Sequence, residues 1–266
     1  MKPGLQGAGK FYLHHEIKLK SIIGKVCVVL KAVLFDLDGT LLRINTGHFM
    51  NEYLKEVGAA VASHVDPGPF IVGLMASTSV MMANKDTSAT NSEVFWEDFT
   101  RRMGDSIEIV KPVIEDFYAN RFGSLSRVVQ PGDWSRKAVL AALGRGLRIG
   151  VATQPVFPLS AVRQRMSWAG VDDLPWDFVA SYEELHFCKP NPDYFREIAE
   201  RLGLSPEECL MVGNDVEEDL AAASTGMRTG LVTDFLVNAQ NKEYSTDWSG
   251  TLAELPGWLA EYRNGL

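Results

Sequence analysis

The sequence predicts an α/β fold in which a doubly wound, mainly parallel sheet of five strands carries a smaller, all-helical second domain. Short apolar segments alternate with segments of helical periodicity, and most of the helical segments end at a glycine. Such alternation is typical of a parallel sheet with helices on both faces. Between about residues 43 and 130 the alternation stops and only helical signals are found. We therefore expect an inserted helical domain that leaves the sheet at the strand ends.

The predicted strands are short and apolar. The first, Ala32–Phe35, is a continuous apolar run of the kind found in strands buried on both faces. The other four are predicted over residues 147–152, 178–180, 210–212 and 230–232. An added strand over residues 26–30 is left open. With helices on both faces, these strands predict a Rossmann-like architecture.

The helices are predicted from apolar periodicity and from capping residues. In the core they are expected over residues 135–143, 159–169, 192–202, 216–225 and 252–262. In the insertion, Thr90 and Glu93 have the spacing of a capping box, and Gly104 is the expected end of that helix. Pro112 is expected to open a second helix there, and residues 70–82 a third. The predicted domains are an extension over residues 1–25, a core of residues 26–42 and 131–266, and the helical domain of residues 43–130.

Composition excludes several classes of protein. The 266 residues are 46% hydrophobic and 23% charged, which rules out wholesale disorder and collagen-like chains. A net charge of −8 makes a general nucleic-acid binder improbable on physical grounds, because phosphate backbones attract basic surfaces. The three cysteines show no metal-ligand spacing and are too few for a disulfide scaffold.

The longest apolar run, residues 22–35, is interrupted by Lys25 and Lys31 and is too short to span a bilayer. No membrane partner is therefore expected. We expect a cytoplasmic protein, and homo-oligomer formation is left open.

Two aspartates follow the first strand directly. Asp36 and Asp38 are two residues apart at the carboxyl end of that strand, where α/β sheets bind ligands. Two carboxylates on one side of an extended segment repel each other unless a cation neutralises them. Mg²⁺ meets that need because it prefers oxygen ligands. Gly39 permits a tight loop, and the Thr40 hydroxyl can orient a neighbour. The ordinary structural explanation is a solvated turn with two surface aspartates.

Polar residues also follow the later strands. Thr153 follows the second strand, and Lys189 lies in a turn before a helix, where it can pair with an anion. Asp215 and Asp219 are expected to share one face of the first turn of the helix after the fourth strand. Each has a common structural explanation: a threonine after a strand, an exposed turn lysine, or acidic residues at a helix N-terminus. Their occurrence in order at the ends of separate strands favours a functional site.

These motifs resemble those of the haloacid dehalogenase-like hydrolase superfamily. The resemblance covers about residues 32–232, apart from the insertion. The motifs are Asp36-Leu-Asp-Gly-Thr40, Thr153, Lys189 and Gly213-Asn-Asp215-x-x-x-Asp219. The resemblance implies a Rossmann-like catalytic core and identifies the helical insertion as a mobile cap.

The resemblance implies a Mg²⁺-dependent phosphatase that acts on a small phosphorylated metabolite. Asp36 would be the nucleophile and would carry the phosphoryl group as an aspartyl phosphate. Asp38 would protonate the leaving oxygen and then activate water. Thr153 and Lys189 would hold the phosphate oxygens.

The same resemblance implies the metal ligands and their supports. Asp215 would bind Mg²⁺ together with Asp36 and the backbone carbonyl of Asp38. Asn214 would be a further ligand or an orienting residue. Asp219 would support Lys189 or the metal shell. One departure from the family pattern is Gln154, which follows Thr153 where many relatives have asparagine.

Several alternatives stay open on the sequence. Asp38 disfavours a dehalogenase, because halide departure needs no proton donor. A phosphonate hydrolase would need a cap lysine, for which Lys55 and Lys85 are candidates. A sugar-phosphate mutase or a non-catalytic binding protein could use the same core. Substrate contacts could come from cap residues that also have ordinary surface or core explanations: His48, Lys85, Trp96, Arg101 and Arg102.

Overall fold

A parallel sheet of six strands forms the centre of the structure, a computed structural model that describes residues 29–262. The strands are β1 (Ala32–Phe35), β2 (Arg148–Val151), β3 (Phe178–Val179), β4 (Cys209–Gly213), β5 (Arg228–Val232) and β6 (Trp248–Gly250). Their order across the sheet is β3-β2-β1-β4-β5-β6, and every neighbouring pair is parallel. The predicted α/β fold with a parallel sheet is confirmed.

The five predicted strands are all present, and the predicted strand count was one too low. The missed strand, β6, is three residues long and pairs only with β5 at the sheet edge. Its sequence, Trp-Ser-Gly, is too short to show an alternating pattern. The predicted extension over residues 1–25 lies outside the described residues, as do residues 26–28 of the strand left open at 26–30.

Helices cover both faces of the sheet. The core helices are α5 (Trp134–Gly144), α6 (Leu159–Trp168), α7 (Pro192–Arg201) and α8 (Leu255–Glu261). Alternate residues of β1 enter different hydrophobic clusters: Val33 and Phe35 one, and Leu34 the other, which contains Tyr194 and Ile198 of α7. This alternation is what two-sided burial of a strand requires.

Residues 46–128, which we call the helical insertion, are all described and contain no strand. Their α-helices are α1 (Thr46–Val61), α2 (Pro67–Met82), α3 (Asn91–Met103) and α4 (Ile107–Asp116). Shorter 3₁₀ and π segments follow at Gly104–Ser106, Phe117–Arg121 and Phe122–Val128. None of the helices in the described part of the chain is long and apolar enough to cross a membrane.

The predicted capping box begins α3, and Gly104 ends it with a positive φ of 54°. Pro112, however, does not open a helix. It lies inside α4, which begins at Ile107. The buried face formed by Ile107, Val110 and Ile114 continues across the proline, and this packing outweighs the one backbone hydrogen bond that proline cannot donate.

The predicted helix over residues 216–225 is also shorter than expected. It is a 3₁₀ helix that begins at Leu220. The Asp219 carboxylate turns back and accepts the backbone N–H groups of Asn214 and Asp215, both at 2.9 Å. Residues 214–219 are therefore held as turns, and Asp215 and Asp219 do not share a helix face. In the core, the last helix likewise spans fewer residues than the predicted 252–262.

Candidate active site

The sheet order brings the predicted polar residues to one edge. Strand β1 lies between β2 and β4, and parallel strands end at the same edge. Asp36 therefore follows β1 beside Thr153, which comes after β2, and beside Asn214, which comes after β4. They line a pocket of about 250 Å³, here called the acidic pocket. Its polar lining includes Asp36, Asp38, Thr153, Gln154, Asn214, Asp215, Glu218 and Asp219.

Lys189 joins two carboxylates beneath this pocket. Its Nζ lies 2.9 Å from Asp36 Oδ1 and 2.5 Å from Asp219 Oδ1, and the side chain is buried. The amide side chain of Gln154 holds the lysine backbone: it accepts the Lys189 N–H at 2.9 Å and donates to the Lys189 carbonyl at 3.1 Å. The residue that departs from the family pattern thus fixes Lys189 in place.

The Thr40 hydroxyl links the first and last motifs. It lies 3.1 Å from Asp36 Oδ2 and 3.0 Å from Asn214 Oδ1. The Asn214 amide donates to the Phe235 carbonyl at 2.7 Å. Gly39 has a φ of 85°, and a Cβ atom there would lie 2.4 Å from Asn214 Nδ2, so only glycine fits. Both ends of the Asn214 amide are therefore engaged by the protein itself.

The two aspartates after β4 differ in how they are used. One Asp219 oxygen accepts a hydrogen bond from Lys189, and the other accepts the backbone N–H groups of Asn214 and Asp215. Asp215 Oδ1 accepts the N–H groups of Glu217 at 2.7 Å and Glu218 at 2.9 Å, which fixes its carboxylate at the edge of the acidic pocket. Both aspartates line the acidic pocket, but only Asp219 contacts Lys189.

Arg165 of α6 forms an ion pair with Asp38. The arginine side chain is fully buried, and its Nη1 donates to Asp38 Oδ2. Its guanidinium lies 4.6 Å from the centre of the Phe157 ring, within the range of a cation–π contact. The other Asp38 oxygen, Oδ1, is buried and has no hydrogen-bond partner. One oxygen of Asp38 is thus held and the other is unpaired.

The carboxyl groups of the acidic pocket are difficult to ionise together. Burial raises the pKa of Asp36 to about 7, against the opposing charge of Lys189. Burial also raises the pKa of Glu218 to about 7. Burial raises the pKa of Asp38, and the Arg165 guanidinium opposes that rise. Five carboxyl groups line the pocket, and two cations, Lys189 and Arg165, pair with members of this set, so a further cation would stabilise their ionised forms.

The donor set fits Mg²⁺. In the described residues, no three Asp, Glu, His or Cys side chains form a ready-made metal cluster. The expected ligands need none, since they are the carboxylates of Asp36 and Asp215 and one backbone carbonyl, that of Asp38. Mg²⁺ is commonly bound by one or two carboxylates and completes its shell with water and substrate phosphate. The all-oxygen, negatively charged lining of the pocket suits such an ion.

A comparison with protein families agrees with these motifs. The family model described as haloacid dehalogenase-like hydrolase matches residues 30–226, more than half of the chain. The chain belongs to this family. The predicted family and the hydrolase class are therefore confirmed.

Individual relatives of this haloacid dehalogenase-like hydrolase carry different names. A glyceraldehyde 3-phosphate phosphatase from Methanocaldococcus jannaschii is 26% identical over 223 residues, which cover 82% of this chain and 90% of the relative. The structure of a predicted phosphoglycolate phosphatase from Haemophilus somnus has a TM-score of 0.53 and 18% identity, covering 87% of this chain and 98% of that one. The structure of an L-2-haloacid dehalogenase from Xanthobacter autotrophicus has a TM-score of 0.52 and 15% identity, covering 87% and 98%. The shared fold alone does not distinguish these reactions.

None of the residues of the insertion that were predicted as candidates for substrate contact or catalysis lines the acidic pocket of this hydrolase. His48, Lys55 and Lys85 are exposed, and Lys55 lies 3.9 Å from Glu52. The two arginines proposed for substrate contact, Arg101 and Arg102, pair with Asp98. Trp96 lines a second cavity instead.

Two residues of the haloacid dehalogenase-like site were not predicted. Arg165 could have been found, because it occupies a helix position four residues after Ala161, on a face that is otherwise apolar. Glu218 could not, because an acidic residue among several others near a helix start carries no distinguishing signal.

Proposed function

We propose that this hydrolase is a Mg²⁺-dependent phosphatase that acts on a small phosphorylated metabolite. One observation carries the proposal: the buried Asp36 carboxylate is fixed by Lys189 and Thr40, and it opens into the same pocket as Asp38. A carboxylate nucleophile divides phosphate ester hydrolysis into two easier displacements. The name of the relative that is 26% identical, a phosphatase, supports the same reaction class.

In the first displacement, an Asp36 oxygen attacks phosphorus and the bond to the alcohol oxygen breaks. Asp38 gives its proton to that oxygen, so a neutral alcohol leaves and Asp36 carries an aspartyl phosphate. In the second displacement, the Asp38 carboxylate takes a proton from water, whose oxygen attacks phosphorus. The bond between phosphorus and the Asp36 oxygen breaks, which releases inorganic phosphate and regenerates the Asp36 carboxylate. The unpaired Oδ1 of Asp38 is the atom free to move these protons.

Three groups would stabilise the transferring phosphoryl group. Lys189 and the Thr153 hydroxyl would bind its oxygens, and Asp219 would keep Lys189 charged and in place. A bound Mg²⁺, held by Asp36, Asp215 and the carbonyl of Asp38, would supply positive charge against the phosphoryl oxygens.

We further propose that residues 43–130 act as a cap on a core of residues 26–42 and 131–266. Helix α1 begins at Thr46, and Thr46 and Gly47 line the acidic pocket, so the insertion contributes directly to its wall. A cap that closes there would exclude bulk water during transfer to Asp36. The cytoplasmic location and homo-oligomer formation stay predictions of the sequence.

The test is phosphate release from a panel of sugar phosphates, nucleotides and carboxylated phosphates, with Mg²⁺ present or chelated. We expect turnover that needs Mg²⁺ and that falls at least about a thousandfold in Asp36→Asn, since loss of a nucleophile removes the covalent route. Asp105→Asn, an exposed aspartate outside the pocket, is the matched control and should keep full activity.

Other outcomes point to the alternatives. Phosphoryl transfer from one substrate oxygen to another without phosphate release would indicate a sugar-phosphate mutase. Halide release from a 2-haloacid would indicate a dehalogenase. An unchanged rate in Asp36→Asn would exclude Asp36 as the nucleophile and contradict the proposal.

A further inference from the structure

A second cavity, of about 180 Å³, lies next to the acidic pocket. Residues of the helical insertion and of the core line it together. Six of them are aromatic, and we call it the aromatic cavity: Tyr53, Phe95, Trp96, Tyr118, Phe157 and Tyr182. Most of its other lining residues are aliphatic or methionine. None of the catalytic roles proposed above involves this cavity.

The polar side chains that line the aromatic cavity are hydrogen-bonded within the protein, and four of them pair with one another. The hydroxyls of Tyr53 and Tyr118 are 2.8 Å apart, and Trp96 Nε1 donates to the Tyr182 hydroxyl at 3.3 Å. Burial raises the pKa of Tyr53 to about 12, so this phenol stays neutral. Among the described residues that line the cavity there is no Lys, Arg, His, Asp or Glu. A charged ligand group would therefore lose its hydration without gaining a partner.

Helix α1 and the residue Gln154 each contribute to the lining of both the aromatic cavity and the acidic pocket. Along α1, Thr46 and Gly47 line the acidic pocket, and Met50 and Tyr53 line the aromatic cavity. The helical rise places Met50 only about 4.5 Å farther along the axis than Gly47. Gln154 lines both spaces. A phosphate in the acidic pocket and an organic group esterified to it can therefore occupy the two spaces together.

We propose that the aromatic cavity binds the leaving group, so that the preferred substrate is the phosphate monoester of a small, neutral alcohol bearing an apolar group the size of one ring. This inference rests on the proposed phosphatase function. An engineered apolar cavity of about 150 Å³ binds benzene, so a cavity of 180 Å³ matches a single ring. The neutral lining disfavours leaving groups with a carboxylate or a second phosphate.

The first test compares kcat/KM for benzyl phosphate, glycerol 3-phosphate and phosphoglycolate in the wild-type protein with Mg²⁺. Benzyl phosphate should be preferred by at least about tenfold, since burial of a ring in an apolar site favours its binding. Preference for either of the polar substrates would overturn the inference.

The second test fills the cavity from α2. Thr78→Trp places a large ring in the space, and Met82→Trp does so from a more exposed position, which protects the test against misfolding of the first variant. Val72→Trp is the matched control, because Val72 is 70% exposed on the same helix and does not line the cavity. Both cavity variants should lower kcat/KM for benzyl phosphate at least about tenfold and leave methyl phosphate within about twofold. A loss shared equally by benzyl and methyl phosphate would overturn the inference.

Binding without turnover separates this inference from the proposed function. Calorimetry with benzylphosphonate and methylphosphonate should show tighter binding of the benzyl compound in wild type and Val72→Trp, but not in Thr78→Trp. If the benzyl compound binds more tightly in this way but no ester releases phosphate, the proposed phosphatase function is wrong and the apolar binding site is supported. Equal binding of the two phosphonates, with Asp36-dependent phosphate release, would overturn the apolar site and keep the phosphatase.

Discussion

The pairing of Arg165 with Asp38 makes the two oxygens of that carboxylate unequal. Arg165 is fully buried and lies against Phe157, so its guanidinium has little freedom to move. It binds Asp38 Oδ2 and leaves Oδ1 unpaired. In the proposed mechanism Oδ1 exchanges the proton with the leaving oxygen and with water. Arg165 is then a positioning residue that acts through Asp38.

Arg165→Met should slow the release of poor leaving groups more than that of good ones. An alkoxide needs a proton from Asp38, whereas p-nitrophenolate departs without one, and positioned acids contribute about 10²–10⁴-fold. We therefore expect kcat/KM, which reports the first displacement, to fall at least about tenfold for benzyl phosphate and to change little for p-nitrophenyl phosphate.

Arg165→Lys is the control, since it keeps the charge, and it should restore part of the loss. The ratio of kcat/KM for the two substrates is the measurement that matters, because the water step is common to both and removing one partner of a buried ion pair also lowers stability. An equal fall for both substrates would contradict the positioning role.

The positions of single residues at strand ends could be predicted from the sequence, because a short loop after a buried strand allows few positions for a side chain. Asp36, Thr153 and Asp215 were found in this way. Arg165 reaches Asp38 from a helix that is distant in sequence, and this pairing depends on how α6 packs. Asn214 was predicted as a ligand or an orienting residue, and its contacts with Thr40 and Phe235 could not be predicted from the sequence.

At the scale of elements, local capping and packing explain where prediction worked. The capping box of Thr90 and Glu93 and the glycine at position 104 correctly predicted the two ends of α3. Pro112 was misleading, since its effect on α4 depends on a buried face that begins before it. The shortened helix after β4 depends on Asp219, whose carboxylate binds backbone N–H groups instead of leaving them to a helix. Such side chain–backbone competition has no periodic signal.

Thr90→Ala should destabilise the helical insertion. The Thr90 hydroxyl accepts the Glu93 N–H at 3.3 Å, and the Glu93 carboxylate accepts the Thr90 N–H at 2.7 Å. Loss of a threonine N-cap costs about 0.5–2 kcal/mol. Urea denaturation should show a fall of that size in the free energy of unfolding. Thr100→Ala, at an exposed position of the same helix, is the matched control and should not destabilise; equal losses in the two variants would contradict the capping role.

At the scale of the whole molecule, the strand order places the site. β1 lies between β2 and β4, so three polar loops meet at one edge. Because the chain is wound in both directions from β1, the crossovers diverge there and leave a crevice. The alternation of strands and helices predicted this arrangement in outline. The aromatic cavity could not be predicted, because it forms where residues from both the insertion and the core meet, and sequence periodicity describes only one element at a time.

Mg²⁺ should stabilise the entire fold by binding at the acidic pocket. A ligand that binds only the native state adds about 2.7 kcal/mol at a hundredfold excess over its Kd, so Mg²⁺ should raise the Tm of the wild type in calorimetry. Asp215→Asn removes a carboxylate from the expected donor set and should abolish most of the rise. Asp105→Asn removes the same one negative charge but lies outside the acidic pocket, and its Tm should respond to Mg²⁺ as the wild type does. Calcium chloride at the same ionic strength is a second control. A general charge effect would raise the Tm equally with either ion, whereas a site that prefers the smaller ion would give the larger rise with Mg²⁺. An equal Mg²⁺ response in Asp215→Asn and wild type would show that the ion acts elsewhere on this acidic chain, and the assignment of Asp215 as a ligand would be wrong.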